Sequence, residues 1–374
     1  MLQRVEVEDP LAVERVLGEL RQASLAATGP GLPPVRMTVL NLIVYAGTRA
    51  QSDEMALLVA SLADQHPSRA VFIAEQADTE GWRLRVWAQC RPTLPGNVVC
   101  FEAVEIAAAA ASLPRVPAVV FPLLLRDLPA VLWWPGDVPT ETILFQRLMA
   151  SADRLVLDSG PSRQPIELLV RLAELGHAEG CQCAIADLNW DRLLRWRELT
   201  AQFFDPQDCR PSLDRIEQVR LEFETPVPEA PTAQALLFAA WLATRLGWAP
   251  ARSPWSRTAA GEQLNLRRGA RPVSLEMVAL PAEAEPSLRF LALRTGEPEG
   301  GQASFAIRRS ADGSQAETVT ALPGREVRQR VVSLARTEMA ELLAGELGRT
   351  GPDPIYQEAL SLAALLGASH PRSP

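Results

Sequence analysis

The chain reads as an α/β protein: an N-terminal layered α/β domain with a mixed sheet, then a C-terminal α+β domain with an antiparallel meander. Three observations predict this. Apolar runs of strand length alternate with helix-period segments through residues 37–205. A proline-bearing stretch at 206–211 interrupts the alternation. Beyond it, four strand-like runs follow with Gly and Pro between them, as in a meander. The expected parts are a helix and Gly/Pro linker (1–34), the α/β domain (35–212) and the α+β domain (213–374).

The elements follow in order. Over residues 11–26, Leu11, Val13, Val16, Leu17 and Leu20 recur near a 3.6 period, so a helix is expected. Gly29, Pro30, Gly31, Pro33 and Pro34 end it. Residues 37–45 are almost continuously apolar and suit a buried strand. Ser52 is the expected N-cap of a helix carrying Met55, Leu57, Leu58, Ala60 and Leu62. A strand follows at 69–73. Residues 82–89 alternate Trp82, Leu84, Val86 and Ala88 against Arg83, Arg85, Trp87 and Gln89, which predicts a half-exposed antiparallel strand. Residues 98–106 form another strand, 119–125 a helix and 131–134 a short strand. Thr140 is the expected cap of a helix over 143–150. Then come a strand at 154–157, a helix at 166–175, and a strand at 183–187 leading into a helix at Trp190.

In the second half, residues 213–224 read as a strand, and three prolines within 225–231 make a stiff connector. Residues 235–246 are apolar nearly all round, which predicts a buried helix. Strands are expected at 264–267, 273–280, 288–294 and 303–308, and helices over 327–348 and 354–366.

Composition narrows the chemistry. An apolar content of 47% supports a folded, globular chain. With 45 acidic residues against 37 basic ones the net charge is −8, which argues against nonspecific binding to nucleic acid or an anionic membrane. No apolar run reaches the roughly 20 residues of a membrane span, and Met1 to Asp9 lacks the apolar stretch of a signal peptide. A soluble cytoplasmic protein is expected. All 37 basic residues are arginine. Schiff-base catalysis, a P-loop lysine and a lysine general base are therefore excluded.

The three histidines, His66, His177 and His370, have no spacing for a metal on one helix. The first two fall near expected helix ends and the third in a polar tail. No metal or cofactor is expected. Five cysteines form an odd set without a secretory context, so buried structural thiols are the first reading. Cys181 and Cys183 share one face if extended and carry the redox reading. No dinucleotide fingerprint or nucleophile elbow is present. Asp158, Ser159 and Gly160, at an expected strand end, read as a turn or as the lip of a ligand pocket.

Tryptophan and arginine gather in two segments, 124–136 and 187–199. Side chains so rich in aromatic and guanidinium surface suit a protein-binding patch. Trp133 and Trp134, as strand neighbours, face opposite ways. Either that strand is buried on both faces or one indole points outward. On a helical wheel Trp190, Leu193, Leu194, Ala201 and Phe204 share a face, with Trp196, Leu199 and Phe203 as a second stripe. That helix is either packed on two sides or offers the Trp196 stripe to a partner. The expected partner-binding set is Trp133, Trp134, Trp190, Arg192, Trp196, Arg197 and Phe203.

These segments resemble a known family, the OpcA glucose-6-phosphate dehydrogenase assembly proteins. The resemblance is carried by residues 39–45 (VLNLIVY), 66–69 (HPSR), 127–134 (DLPAVLWW), 152–159 (ADRLVLDS) and 187–197, with Leu199. Together these span most of residues 35–205; the later half matches mainly in length and pattern. The resemblance implies a non-catalytic protein that binds glucose-6-phosphate dehydrogenase and stabilises its active oligomer, serving the oxidative pentose phosphate pathway. In cyanobacteria it also implies a link to thiol redox state, with thioredoxin as a further candidate partner. The competing reading is a sugar-phosphate-binding enzyme or sensor, its site near Arg154, Asp158 and Ser159.

Overall fold

The computed structural model describes residues 4–27, 38–77, 81–93, 97–178, 182–226, 231–283, 286–296 and 301–371. The expected Gly/Pro linker at 29–34 and residues 227–230 of the proline connector lie outside these. The chain forms two units that interleave along the sequence. The first takes Met1–Leu157, Glu179–Ala186 and Glu338–Gly351; the second takes Asp158–Ala178, Asp187–Thr337 and Pro352–Pro374. The expected linear division into 35–212 and 213–374 contains no such crossings.

The first unit is built on an eight-stranded sheet in the order β1-β4-β5-β3-β2-β6-β7-β8. Its strands are β1 (Val5–Val7), β2 (Leu40–Thr48), β3 (Ser68–Glu75), β4 (Trp82–Thr93), β5 (Asn97–Ala108), β6 (Ala130–Trp134), β7 (Arg154–Leu157) and β8 (Ala184–Asp187). The sheet is mixed, as expected. β5, β3, β2, β6 and β7 run parallel, while β4 pairs antiparallel with β5 and with β1. The period-2 alternation of residues 82–89 is a true strand signal for that antiparallel edge.

Helix α1 (Val13–Ala27) buries Val13 and Leu17. Its polar side is tied to the sheet by ions: Glu14 binds Arg69 at 2.5 Å, and Arg69, fully buried on β3, binds Glu102 of β5 at 2.6 Å. Helix α2 (Arg49–Ser61) is capped by Thr48, not Ser52, in a capping box with Gln51. Ser52 lies inside the first turn, buried, with its hydroxyl donating to Glu105. The helix α3 (Pro117–Val120) continues into a 3-10 turn at Phe121–Leu123. Thr142, two residues past the expected Thr140, caps α4 (Ile143–Met149). Asn41 is the polar exception in the apolar β2 run. Its side-chain amide donates to the carbonyls of Leu125 and Leu128 and accepts from the Leu125 N–H at 2.8 Å. A buried amide so satisfied fixes the loop that enters β6.

The second unit combines a sheet with the helices α5 (Pro165–His177), α6 (Leu188–Arg192), α7 (Leu194–Gln202), α8 (Arg210–Leu213) and α9 (Ala233–Leu246). The sheet runs β10-β11-β12-β9-β13-β14-β15-β16. Its strands are β9 (Ile216–Thr225), β10 (Ala249–Arg257), β11 (Glu262–Arg268), β12 (Arg271–Pro281), β13 (Ser287–Thr295), β14 (Ser304–Arg309), β15 (Gln315–Ala321) and β16 (Arg328–Ser333). The expected meander of β11, β12, β13 and β14 is split: β11 pairs antiparallel with β12 and β13 with β14, but β9 lies between β12 and β13, and the continuous antiparallel run is β13 to β16. β9 departs from it by lying parallel to β12, so this sheet is also mixed. Residues 328–333, expected as helix, form the edge strand β16, and the helix α10 (Met339–Leu347) starts after it. The chain closes with α11 (Pro354–Ala368), capped by Asp353.

Helix α9 is buried through eleven consecutive residues, as its all-round apolar sequence predicts. Gly247, at φ 66°, ends it in the left-handed conformation that glycine adopts without a Cβ penalty. On the sheet face towards this core stand Val219, Leu221 and Phe223 of β9, Leu264 and Leu266 of β11, and Leu291 and Leu293 of β13. His370, expected in a polar tail, packs edge-on against Trp255 and lies 2.9 Å from Glu262.

Candidate functional site

The tryptophans expected at a surface are inside. Trp133 and Trp134 are each 2% exposed, Trp190 2%, Trp196 3% and Phe203 7%. β6 is buried on both faces, which is how neighbouring indoles of one strand are both accommodated. Trp134 stacks on Tyr45 with ring centroids 3.9 Å apart and meets Phe145 edge-on. Its indole donates to the Asp137 carbonyl.

The segment after β8 is not one continuous helix. It breaks at Leu193, which ends α6 and precedes α7. The break turns Leu194 outward, 40% exposed, away from the face it shares with Trp190 on an unbroken wheel. Trp190 donates to Asp353 at 3.0 Å and packs on Tyr356. The Arg197 guanidinium lies 3.5 Å over the Trp190 ring. Phe203 packs on Phe305. The expectation of an outward aromatic patch is therefore corrected: both stripes of this segment find partners within the unit, the two-sided packing a wide apolar arc also allows.

The strand-end residues of the competing reading are equally occupied. Arg154, buried on β7, binds Glu346 at 2.9 Å and also donates to the Gly351 carbonyl. Arg192 grips Asp158 through both guanidinium nitrogens. Asp187, the N-cap of α6, accepts the Ser159 hydroxyl at 2.5 Å and the backbone N–H groups of Ser159 and Asn189. The Asn189 amide donates to Ser159 and accepts from Gln234, whose own carbonyl takes the Leu288 N–H. Burial, then the nearby Asp158 charge, push the Asp187 carboxyl up to about 6 despite these hydrogen bonds. An anion brought here would displace existing partners and meet two carboxylates. The arrangement is a closed polar network.

The cysteines divide differently from the expectation. Cys90 and Cys100, directly opposite on β4 and β5, form a disulfide. Leu25 packs against this pair, and the Ser24 hydroxyl accepts the Cys90 N–H. That bond corrects the reading of all five as reduced thiols; the register of two antiparallel strands, ten residues apart in sequence, is the signal that composition does not carry. Cys183 is half-buried, Cys209 is buried with a free thiol, and Cys181 lies outside the described residues. Among the described residues no group of three His, Cys, Asp or Glu side chains could hold a metal. No helix among them is long and apolar enough to cross a membrane.

What the second unit does leave open is the other face of its sheet. Strand alternation points Gln218, Arg220 and Glu222 of β9, Ser274 and Glu276 of β12, and Phe290, Ala292 and Arg294 of β13 away from the core. Arg308 of β14 stands opposite Phe290, its guanidinium 4.5 Å over the ring. These side chains line a concave trough of about 480 Å³. Arg220 is held by Glu222 and Glu276 at 2.8 and 2.7 Å. Arg294 and Arg308 are exposed and make no ion pair among the described residues. None of these residues stands out in sequence, because single arginines on alternating strands carry no local pattern.

Two domain families match. One, described as the glucose-6-phosphate dehydrogenase subunit N-terminal domain, covers residues 59–174. The other, described as the corresponding C-terminal domain, covers residues 183–360. Relatives bearing the name putative OxPP cycle protein OpcA include those of Synechocystis (29% identical over 81% of this chain), Nostoc punctiforme (28% over 85%) and Synechococcus elongatus (30% over 83%). The chain spans about two thirds of the length of these relatives: 64%, 68% and 70%. Among solved structures, an oxidoreductase from Sinorhizobium meliloti aligns at 11% identity and a TM-score of 0.42, over 89% of this chain and 90% of that one. A myo-inositol dehydrogenase from Lactobacillus casei gives the same identity and score, over 89% and 93%. With both domain families matched in order and a 30% identical relative covered over most of its length, the chain belongs to the OpcA family of glucose-6-phosphate dehydrogenase subunit proteins.

Proposed function

We propose that this protein is a non-catalytic partner of glucose-6-phosphate dehydrogenase, binding it and stabilising its active oligomer in the oxidative pentose phosphate pathway. The matching of two domain families described as subunits of that dehydrogenase carries the reading. The closed network around Asp158 and Asp187 supports it against a sugar-phosphate site at those strand ends, since the polar groups there are committed to one another. The mechanism is a population shift: a partner that binds one oligomer more tightly than the others moves the equilibrium by that difference in affinity. The proposed partner is the dehydrogenase alone, without thioredoxin.

The docking surface is the outward trough of the second sheet, rimmed by Arg294 and Arg308 and floored by Phe290 and Ala292. It supplies what the buried tryptophans do not: exposed guanidinium groups beside a half-buried aromatic ring, Phe290. Calorimetric titration of the purified dehydrogenase tests it. Arg294→Glu with Arg308→Glu is expected to weaken binding at least about tenfold, roughly 1.4 kcal/mol, with unfolding unchanged. Full affinity in that variant would move the interface elsewhere.

A further inference from the structure

The inward face of the meander changes character at its edge. Register carries the side of Phe305 and Ile307 on β14 across to Thr320 and Thr318 on β15, then to Arg328 and Arg330 on β16. Phe305 and Ile307 are fully buried apolar side chains. A sheet continuing its core would place more of the same at the next positions. It places two hydroxyls and two guanidinium groups instead. Leu199 and Gln202 of α7, with Phe203 just after it and residues Asp205, Pro206 and Cys209, close the opposite wall. The space enclosed is about 300 Å³, within the range of small-molecule sites.

The lining suits an anion. Arg328 is held in place, donating to Asp208 at 3.2 Å and to the Cys209 sulfur at 2.9 Å. Asp208 is shared with Arg325, so one carboxylate faces two guanidinium groups. Burial pushes the Cys209 thiol up, so it stays neutral and cancels none of that charge. Arg330 forms no ion pair among the described residues. Thr320 lines the pocket beside these arginines and offers a hydroxyl to it.

We propose that this pocket binds a small hydroxylated organic anion, its phosphate or carboxylate oxygens on Arg328 and Arg330 and its hydroxyls towards Gln202, Asp205 and Thr320. Arginine is the side chain suited to either oxyanion, through paired N–H donors. The site is separate from the sheet trough assigned to the dehydrogenase, and does not depend on that assignment.

The test is calorimetric titration of the full chain at low ionic strength with glucose 6-phosphate, citrate, inorganic phosphate and glucose, repeated on Arg330→Ala and Arg330→Glu. Arg330 is exposed and makes no side-chain bond among the described residues, so both variants should melt as wild type does. The expected result is saturable binding of glucose 6-phosphate or citrate, weakened at least about tenfold by the alanine variant and abolished by the glutamate variant. Glucose should not bind. Preference for glucose 6-phosphate identifies a phosphate ligand, and preference for citrate a carboxylate. Two results overturn the proposal: no binding of either organic anion by the wild-type chain, or binding that Arg330→Glu leaves unchanged.

Discussion

Arg192 holds Asp158 by a two-pronged ion pair, at 2.6 and 2.7 Å, across 34 residues of sequence. Both side chains are largely withdrawn from water, Asp158 almost completely. Breaking such a pair leaves a buried carboxylate uncompensated, which costs about 3–5 kcal/mol. Arg192→Ala is thus expected to lower the urea midpoint substantially. Loss of dehydrogenase binding in that variant at a concentration of urea where it remains folded would instead return Arg192 to the interface.

Asp187 predicts a pH dependence with a definite sign. Its carboxyl titrates at about 6 in the folded chain, against roughly 3.9 when unfolded. The folded state therefore binds the extra proton between those values. The stability this contributes is fully present below about pH 4 and is lost as pH rises through about 6, an effect of about 3 kcal/mol. Asp187→Asn removes the charge and keeps an oxygen that can accept from the Ser159 and Asn189 N–H groups, as the carboxyl does. The difference in unfolding free energy between the wild type and the Asp187→Asn variant is expected to change between about pH 4.5 and about pH 7.5. A flat difference would mean that the carboxylate is stabilised in place.

Trp196→Ala is expected to cost about 3–5 kcal/mol, as for other buried tryptophans truncated to alanine. Trp133→Ala belongs in the same range. Urea unfolding followed by far-UV circular dichroism measures both. A change below about 0.5 kcal/mol in either, the size typical of surface substitutions, would show that the ring is not part of a core.

The Cys90–Cys100 bond closes a short loop between adjacent strands. Such a closure contributes about 2–3 kcal/mol through the unfolded chain. Cys90→Ser with Cys100→Ser should therefore melt lower than the oxidised wild type and together with the wild type in dithiothreitol. If reductant leaves the wild-type transition unmoved, the bond contributes nothing to stability.

How far the sequence can be read follows from where each element sits. β2, β6 and β7 are flanked on both sides in their sheet, so they appear as plain apolar runs. β10 has no buried residue and carries Pro250 and Pro254, so it shows no alternation to detect. β16 reads as helix because its inward positions are Arg328 and Arg330, where alternation would normally show aliphatic side chains. The tryptophan segments are legible in position but not in orientation. Composition reports that indoles are gathered; only the partner of each, such as Asp353 for Trp190, reports that they are enclosed. Pairings such as Arg154 with Glu346, 192 residues apart, leave no local mark at all.

The proposed function acts on an oligomer, so the mass of the dehydrogenase in solution tests it at the source. Sedimentation velocity would be run on the purified dehydrogenase near its own assembly midpoint, with and without this protein, alongside its specific activity. Adding the protein is expected to raise the fraction of the larger, active assembly, with the two sedimenting together and activity rising in step. Unchanged mass and activity at saturating protein would contradict it.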